Sequence, residues 1–301
     1  MKKVSAFSPS HITGIFTIHN EYGDPLKSGS RGAGLSIKSG TITRVYCKRS
    51  AKNRVFIRIN GRYATAETSR YVVDWYLKKI RDNVELFVEH KIHPPIGSGF
   101  GTSGGGALSL SLALNELFGL GLSDVEAAQI AHLAEIENRT GLGTVIAEFY
   151  GGFEIRLKPG APGIGRILRV RVSDDLRVVA LCLGRISTKK VLSDNNLVLK
   201  INKYGDMFLK KLMMKPDINN FLFYSKAFSY KVGLISDRLN RIISRLNEAG
   251  FISSMAMVGS TVFTVVNEDS VNDVKDLFSS FCRNEDEIIV SPIDNYGARL
   301  I

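Results

Sequence analysis

Apolar positions in the first 60 residues fall into short groups: VSAFS (4–8), HITGIFTIH (11–19), GAGLSIKSGTITRVYC (32–47) and NRVFIRIN (53–60). They are rich in β-branched and aromatic residues and punctuated by Gly, Ser and Pro, which predicts short strands joined by turns. A helix is expected over 68–80, then a strand, VELFVEH (84–90), and beyond a glycine-rich stretch a strongly apolar helix, ALSLSLALNELFGL, from Ala107. Ser123, with Glu126 three residues on, forms a capping box opening a helix through AAQIAHLAEIEN (127–138), with Gly141 and Gly143 ending it. Strands follow at GGFEIRLK (151–158), IGRILRVRV (164–172) and RVVALCLG (177–184). A basic helical stretch over 187–220 and a helix over 235–248 precede a tail that reads strand (FISSMAMV), strand (TVFTVVN), helix (SVNDVKDLFSSF), strand (EIIVSPI). That tail order suits a split βαβ layer. The chain therefore reads as α+β in two domains, 1–165 and 166–301.

The stretch PPIGSGFGTSGGGALS (94–109) places six glycines in the ten positions from Gly97 to Gly106. A helix leaving such a loop has unpaired first-turn amides beside the positive end of its dipole, and phosphate is the natural occupant. Without a Cβ the backbone can approach phosphate oxygens, and Thr102 and Ser103 offer hydroxyls to phosphate or magnesium. No lysine follows the glycines, which excludes GxxxxGK[ST]. The dinucleotide reading lacks its strand and its acidic residue roughly 20 positions on.

With 301 residues, 44% hydrophobic and 23% charged, the chain has ordinary globular composition. No apolar run approaches the roughly 20 residues that cross a bilayer, and MKKVSAFSPSH lacks the apolar core of a secretory signal, so a cytoplasmic protein without a membrane partner is expected. Cys47, Cys182 and Cys282 are scattered singly, giving neither a disulfide framework nor a CxxC metal pair. The net charge of +11 suits nucleic acid or an anionic small substrate alike. Dispersed cations without a nucleic-acid-binding signature favour the small substrate, and no nucleic-acid partner is expected.

Pro95, Gly97, Gly99, Gly101, Thr102 and Ser103 resemble the PxGxGxGSS motif of the GHMP kinases, whose loop covers the phosphates of ATP. The resemblance implies ATP and Mg2+ as cofactors, a loop contacting phosphates through Pro95, Gly97, Ser98, Gly99, Phe100, Gly101, Thr102, Ser103 and Gly104, and a metal shared by Ser103 and a glutamate of AHLAEIENRTGLGT. Glu135 is the best match and Glu137 the fallback. On its own, Glu135 reads equally well as an exposed helix residue paired with Arg139 at i+4. His132 reads as a packed or hydrogen-bonded helix histidine. The implied fold has two domains, the first like a ribosomal-protein domain with a left-handed βαβ crossover and the second a ferredoxin-like α/β sandwich, with the site in the cleft between them and a homodimer expected. In the family's third motif, here SSMAMVGSTVFTV (253–265), only Gly259 is retained of several glycines.

SHITGIF (10–16), DPLKSGSRGAGLSI (24–37), the glycine stretch, AHLAEIENRTGLGTV (131–145) and SMAMVGSTVF (254–263) together resemble the archaeal pantoate kinase branch, weakest over 190–250. Pantoate carries a carboxylate, a primary hydroxyl and a second hydroxyl, so its site needs a cation and hydrogen-bond donors. Arg31 in SGSRGAG is the expected cation, with Ser28, Ser30 and His11 as companions, each of which alone reads equally as a turn or capping residue. The aspartate base of some family members falls here at Thr144, which is left as a candidate for orienting the substrate hydroxyl. Thr188 and Lys189, beside Arg185 and Lys190, read as substrate contacts or as a solvated basic face. Homoserine, mevalonate and shikimate are the alternative substrates. A nucleotide-binding regulator without turnover is the other reading that the missing glycines and aspartate allow.

Overall fold

The computed structural model describes residues 2–20, 23–184, 194–282 and 288–301. Arg185, Thr188, Lys189 and Lys190 lie outside them.

The first half is built on β1 (Lys3–Phe16) and β2 (Gly32–Arg49), a long antiparallel pair. The two short strands expected at 4–8 and 11–19 are one strand, because register shifts between Ser8 and Ser10 and between Thr13 and Ile15 bend it without breaking it. Pro9 sits at the first irregularity, where its missing N–H does not break the ladder. β5 (Val84–Ile92) pairs with β2, and β3 (Arg54–Ile59) lies parallel to β5, the crossover passing through β4 (Arg62–Tyr63) and α1 (Glu67–Leu77). β6 (Phe153–Lys158) pairs with β2 and β7 (Arg166–Val170) with β6, while β12 (Arg299–Leu300) returns to the edge at β1. The helices α2 (Thr102–Phe118), α3 (Asp124–Asn138) and α4 (Thr144–Tyr150) belong to this half, and Leu108, Leu110, Ala127 and Ala131 share one buried cluster with Val45, Leu86 and Val88 of the sheet.

The second sheet has the order β11 (Ile288–Pro292), β8 (Leu176–Gly184), β10 (Ser260–Asn267), β9 (Ser253–Met255), all neighbours antiparallel. In chain order this is 4-1-3-2, the split βαβ arrangement expected of the tail. The sheets thus part between Val170 and Leu176. The basic stretch continues past 220 as two helices, α5 (Asn195–Met214) and α6 (Ile218–Val232), because Pro216 cannot continue the first and Asp217 caps the second by accepting from Asn220 N–H at 2.8 Å. After them come α7 (Asp237–Glu248) and, between β10 and β11, α8 (Val271–Ser279).

One core runs through both halves: Ile12, Ile15, Leu35 and Phe153 of the first sheet share a buried cluster with Phe221, Phe228 and Phe263. Helices α5 and α6 come down on β1 at glycines. A Cβ at Gly14 would meet Ser225 Oγ at 2.1 Å, and one at Gly205 would meet the Phe16 carbonyl at 2.3 Å.

Behind α2, buried His90 accepts or donates through both ring nitrogens, to Thr43 Oγ1 (2.7 Å) and Ser69 Oγ (3.0 Å), tying β5 to β2 and α1. Burial pushes its pKa down to about 4. The unfolded chain takes up this proton near pH 6.5 while the folded chain does not, so stability is lost as pH falls from there, by on the order of 2 kcal/mol between pH 7 and 5 from this residue. His90→Gln should flatten that part of the pH dependence in urea melts. A variant keeping the full wild-type slope would contradict this.

Candidate active site

The glycine stretch forms the lip of a cavity of about 310 Å³. Gly97, Gly99 and Gly101 have φ of 83°, 93° and 68°, a left-handed backbone at alternate positions that side-chain-bearing residues adopt at a cost. The first of those turns follows Pro95, and the last is the N-cap of α2, which therefore starts at Thr102 and not at Ala107. Gly104, Gly105 and Gly106 are inside the helix, and at Gly104 small size rather than loop conformation is needed: a Cβ there would lie 3.1 Å from Glu135 Oε2 and 3.0 Å from Thr144 Cγ2. Helix α2 has no side-chain cap at its start. Its first-turn amides have no intrahelical acceptors and remain available for an anion.

The third-motif segment braces the loop from behind. Gly259 packs on it so closely that a Cβ there would meet the Ser98 carbonyl at 2.1 Å, and Thr261 Oγ1 donates to the same carbonyl at 2.8 Å. Val258, on the cavity wall, holds a φ of 60° that costs a β-branched residue about 1–2 kcal/mol.

Beside the loop, Ser103 Oγ donates to Glu135 Oε1, and Thr140 Oγ1 donates to the same oxygen at 2.8 Å. Glu135 is buried, and burial raises its pKa against the lowering effect of the two hydroxyls. Arg139 does not pair with it: the residue is the left-handed C-cap of α3 (φ 53°) and turns the chain back, with Gly141 so close that a Cβ would meet Glu135 Oε2 at 1.9 Å. Glu137 is exposed and does not line the cavity. Buried Glu148, on α4, has one oxygen without a hydrogen-bond partner among the described residues, and burial with the charge of Glu135 holds its pKa well above the usual carboxylate range.

The cavity floor is a fully buried charged group that the sequence reading did not single out. Arg156 Nη1 donates to Glu154 Oε1, and His11 Nε2 lies 2.9 Å from the same oxygen, with Thr13 Oγ1 3.2 Å from its Nδ1. Burial lowers the His11 pKa despite Glu154, which favours the neutral ring donating from Nε2. Among the described residues Arg156 Nε has no hydrogen-bond partner. It faces the space left by Gly143, where a Cβ would lie 2.9 Å from that nitrogen and 2.0 Å from Ser30 Oγ.

Of the expected site residues, His11, Ser30 and Thr144 line this cavity together with Gly97, Gly99, Phe100, Gly101, Thr102 and Ser103. Pro95, Ser98 and Gly104 do not line it, and Glu135 reaches it only through its hydrogen bond from Ser103. Thr144 is the first residue of α4 rather than part of a turn. Arg31 and Ser28 do not reach the cavity wall. The Arg31 guanidinium pairs with Asp206 on α5, Nη1 to Oδ1 at 2.7 Å, while among the described residues its buried Nε has no hydrogen-bond partner. Ser28 is buried, its carbonyl accepting from His132 Nε2 at 3.0 Å, so His132 is a hydrogen-bonded helix histidine.

A divalent cation fits the donor set. Glu135 and Ser103 supply one carboxylate and one hydroxyl, a sparse set that suits a metal completed by phosphate oxygens and water. Among the described residues no group of three or more His, Cys, Asp or Glu could hold a metal alone. No described helix is long and apolar enough to cross a membrane.

Residues 66–152 match the GHMP kinases N-terminal domain. The chain is 35% identical over 284 residues to the pantoate kinase of Thermococcus kodakarensis, covering 92% of each chain, and 33% identical to that of Methanocaldococcus jannaschii, covering 89% of this chain and 94% of the relative. A solved phosphotransferase related to the coenzyme A biosynthesis pathway superposes with a TM-score of 0.88 at 31% identity, over 99% of this chain and 98% of the other. With this likeness over most of its length, the chain belongs to the pantoate kinases of the GHMP kinase family.

Proposed function

We propose that this chain transfers the γ-phosphoryl group of ATP to the primary hydroxyl of pantoate, giving 4-phosphopantoate and ADP on the route to coenzyme A. The observation that carries the reading is the unpartnered Arg156 Nε beside Ser30 in the cavity that the phosphate loop closes. A buried N–H donor without a partner is costly unless a ligand supplies an acceptor. A carboxylate is the acceptor that best meets a guanidinium. Arg156 therefore takes the role expected of Arg31, with Ser30 as a second donor and His11 and Glu154 fixing the guanidinium.

The phosphates lie along Gly97 to Ser103, on the first-turn amides of α2. Ser103 and Glu135 would hold magnesium, which when bound neutralises charge on the phosphoryl oxygens. With the carboxylate anchored on Arg156, the hydroxyl end of pantoate is directed toward Thr144 and the loop, and this positioning supplies most of the rate in a transfer whose transition state is loose. Thr144 orients the hydroxyl. The hydroxyl oxygen bonds to the γ-phosphorus, the bond from phosphorus to the bridging oxygen breaks with its electron pair leaving on ADP, and the proton leaves to water. The division of labour assigns phosphate binding to residues 1–165 and bracing of the loop to 166–301.

ATP consumption measured with pantoate, homoserine, mevalonate and shikimate tests the reading. Turnover with pantoate well above the other three is expected. Absence of turnover with pantoate overturns the substrate, and absence with all four favours a nucleotide-binding regulator.

A further inference from the structure

Arg139 stands out among the charged groups around the cavity. Arg156 is paired with Glu154, and His11 is held neutral by burial. Arg139 lines the same cavity, yet among the described residues no ion pair or hydrogen bond engages its side chain. Its placement is built rather than incidental. As the C-cap of α3 it adopts a φ of 53°, its N–H donating to the Ile136 carbonyl at 3.1 Å. The next residue, Thr140, donates from both backbone and hydroxyl to Glu135, at 3.0 and 2.8 Å. Arg139 is thereby tied to the glutamate that faces Ser103 and the phosphate loop.

The loop itself has no lysine, and first-turn amides carry only partial charge. A loose phosphoryl-transfer transition state spreads negative charge over three equatorial oxygens, and a planar guanidinium can meet two of them at once. We propose that Arg139 is a catalytic residue whose guanidinium contacts the transferring γ-phosphoryl group, an arginine finger supplied within the chain. This rests on the kinase reading above. While the hydroxyl oxygen bonds to phosphorus, the bridging oxygen departs with its electron pair on ADP and the hydroxyl proton goes to water, Arg139 holds equatorial oxygens and exchanges no proton.

A solvated arginine at a helix C-terminus would instead act only on the helix dipole, and the variants separate the two. Arg139→Asn keeps the left-handed cap, a conformation asparagine tolerates, and Arg139→Lys keeps the charge while losing the planar fork. The expected result for Arg139→Asn is a kcat lower by about 100-fold or more, with the KM for pantoate little changed and the melting temperature near wild type. Added guanidinium chloride at millimolar concentration should restore part of that rate, while sodium chloride at equal ionic strength should not. Arg139→Lys should also lose most of the rate. A kcat within about threefold of wild type in Arg139→Asn, or a loss confined to the KM for ATP, overturns the inference. Failure of the wild-type chain to use pantoate is a separate result that overturns the substrate reading, and the same variants are then measured with whichever alcohol the chain does phosphorylate.

Discussion

Glu135→Gln should leave a folded chain whose kcat with saturating pantoate falls on the order of 1000-fold, since it removes the carboxylate that accepts from Ser103. The glutamine keeps the shape and can still accept from Thr140 and Ser103, so the fold is not the casualty. Its stability should move the other way. Burial raises the pKa of Glu135, and a carboxyl with a raised folded pKa contributes stability below its unfolded value of about 4.5 that is lost as pH rises through the folded one. Burial penalises the ionised form of Glu135, whose charge also raises the pKa of neighbouring Glu148, and the neutral glutamine removes both effects. Melting temperatures of the ligand-free proteins at pH 7 should be equal or higher for the variant. Binding of a non-hydrolysable ATP analogue should lose most of its magnesium dependence. Retention of kcat within tenfold, or magnesium dependence unchanged, contradicts the metal assignment.

Arg156 combines the largest structural and functional stakes. Arg156→Met leaves buried Glu154 without its guanidinium, which costs about 3–5 kcal/mol for a buried pair broken on one side. The double variant Arg156→Met, Glu154→Gln removes the stranded charge and should recover much of that stability. It should not recover pantoate use: the KM for pantoate should stay raised by about 100-fold or more, because the carboxylate has no guanidinium to meet. ATP affinity should be little affected in the folded double variant. Recovery of pantoate affinity together with stability would show that Arg156 serves the fold alone. Arg31→Met provides the contrast, since it breaks a partly exposed pair with Asp206 and should change the KM for pantoate only slightly.

How far the sequence could foresee this site depended on how local each signal was. The glycine loop was legible because alternate glycines and an apolar helix are neighbours in the chain, and the left-handed φ values at Gly97, Gly99 and Gly101 explain that spacing. The start of α2 was misplaced because glycine disfavours helices in isolation, whereas here Glu135 and Thr144 press against Gly104 and override propensity. Arg156 and Glu154 were hidden in the alternating strand FEIRLK, whose charged face reads as solvent-facing. In the fold that face looks into the cavity, and Arg156 and Glu154 are both buried. Arg31 shows what glycine and serine neighbours cannot reveal: its guanidinium pairs with Asp206, 175 positions away. Pairings over such distances leave no local trace.

The most direct measurement is a crystal structure of the chain with magnesium, a non-hydrolysable ATP analogue and pantoate. The account predicts phosphates along Gly97 to Ser103, the metal on Ser103 and Glu135, and the pantoate carboxylate within hydrogen-bond distance of Arg156 Nε with its primary hydroxyl facing the γ-phosphate. A carboxylate bound at Arg31, or pantoate seated away from Arg156, would contradict it.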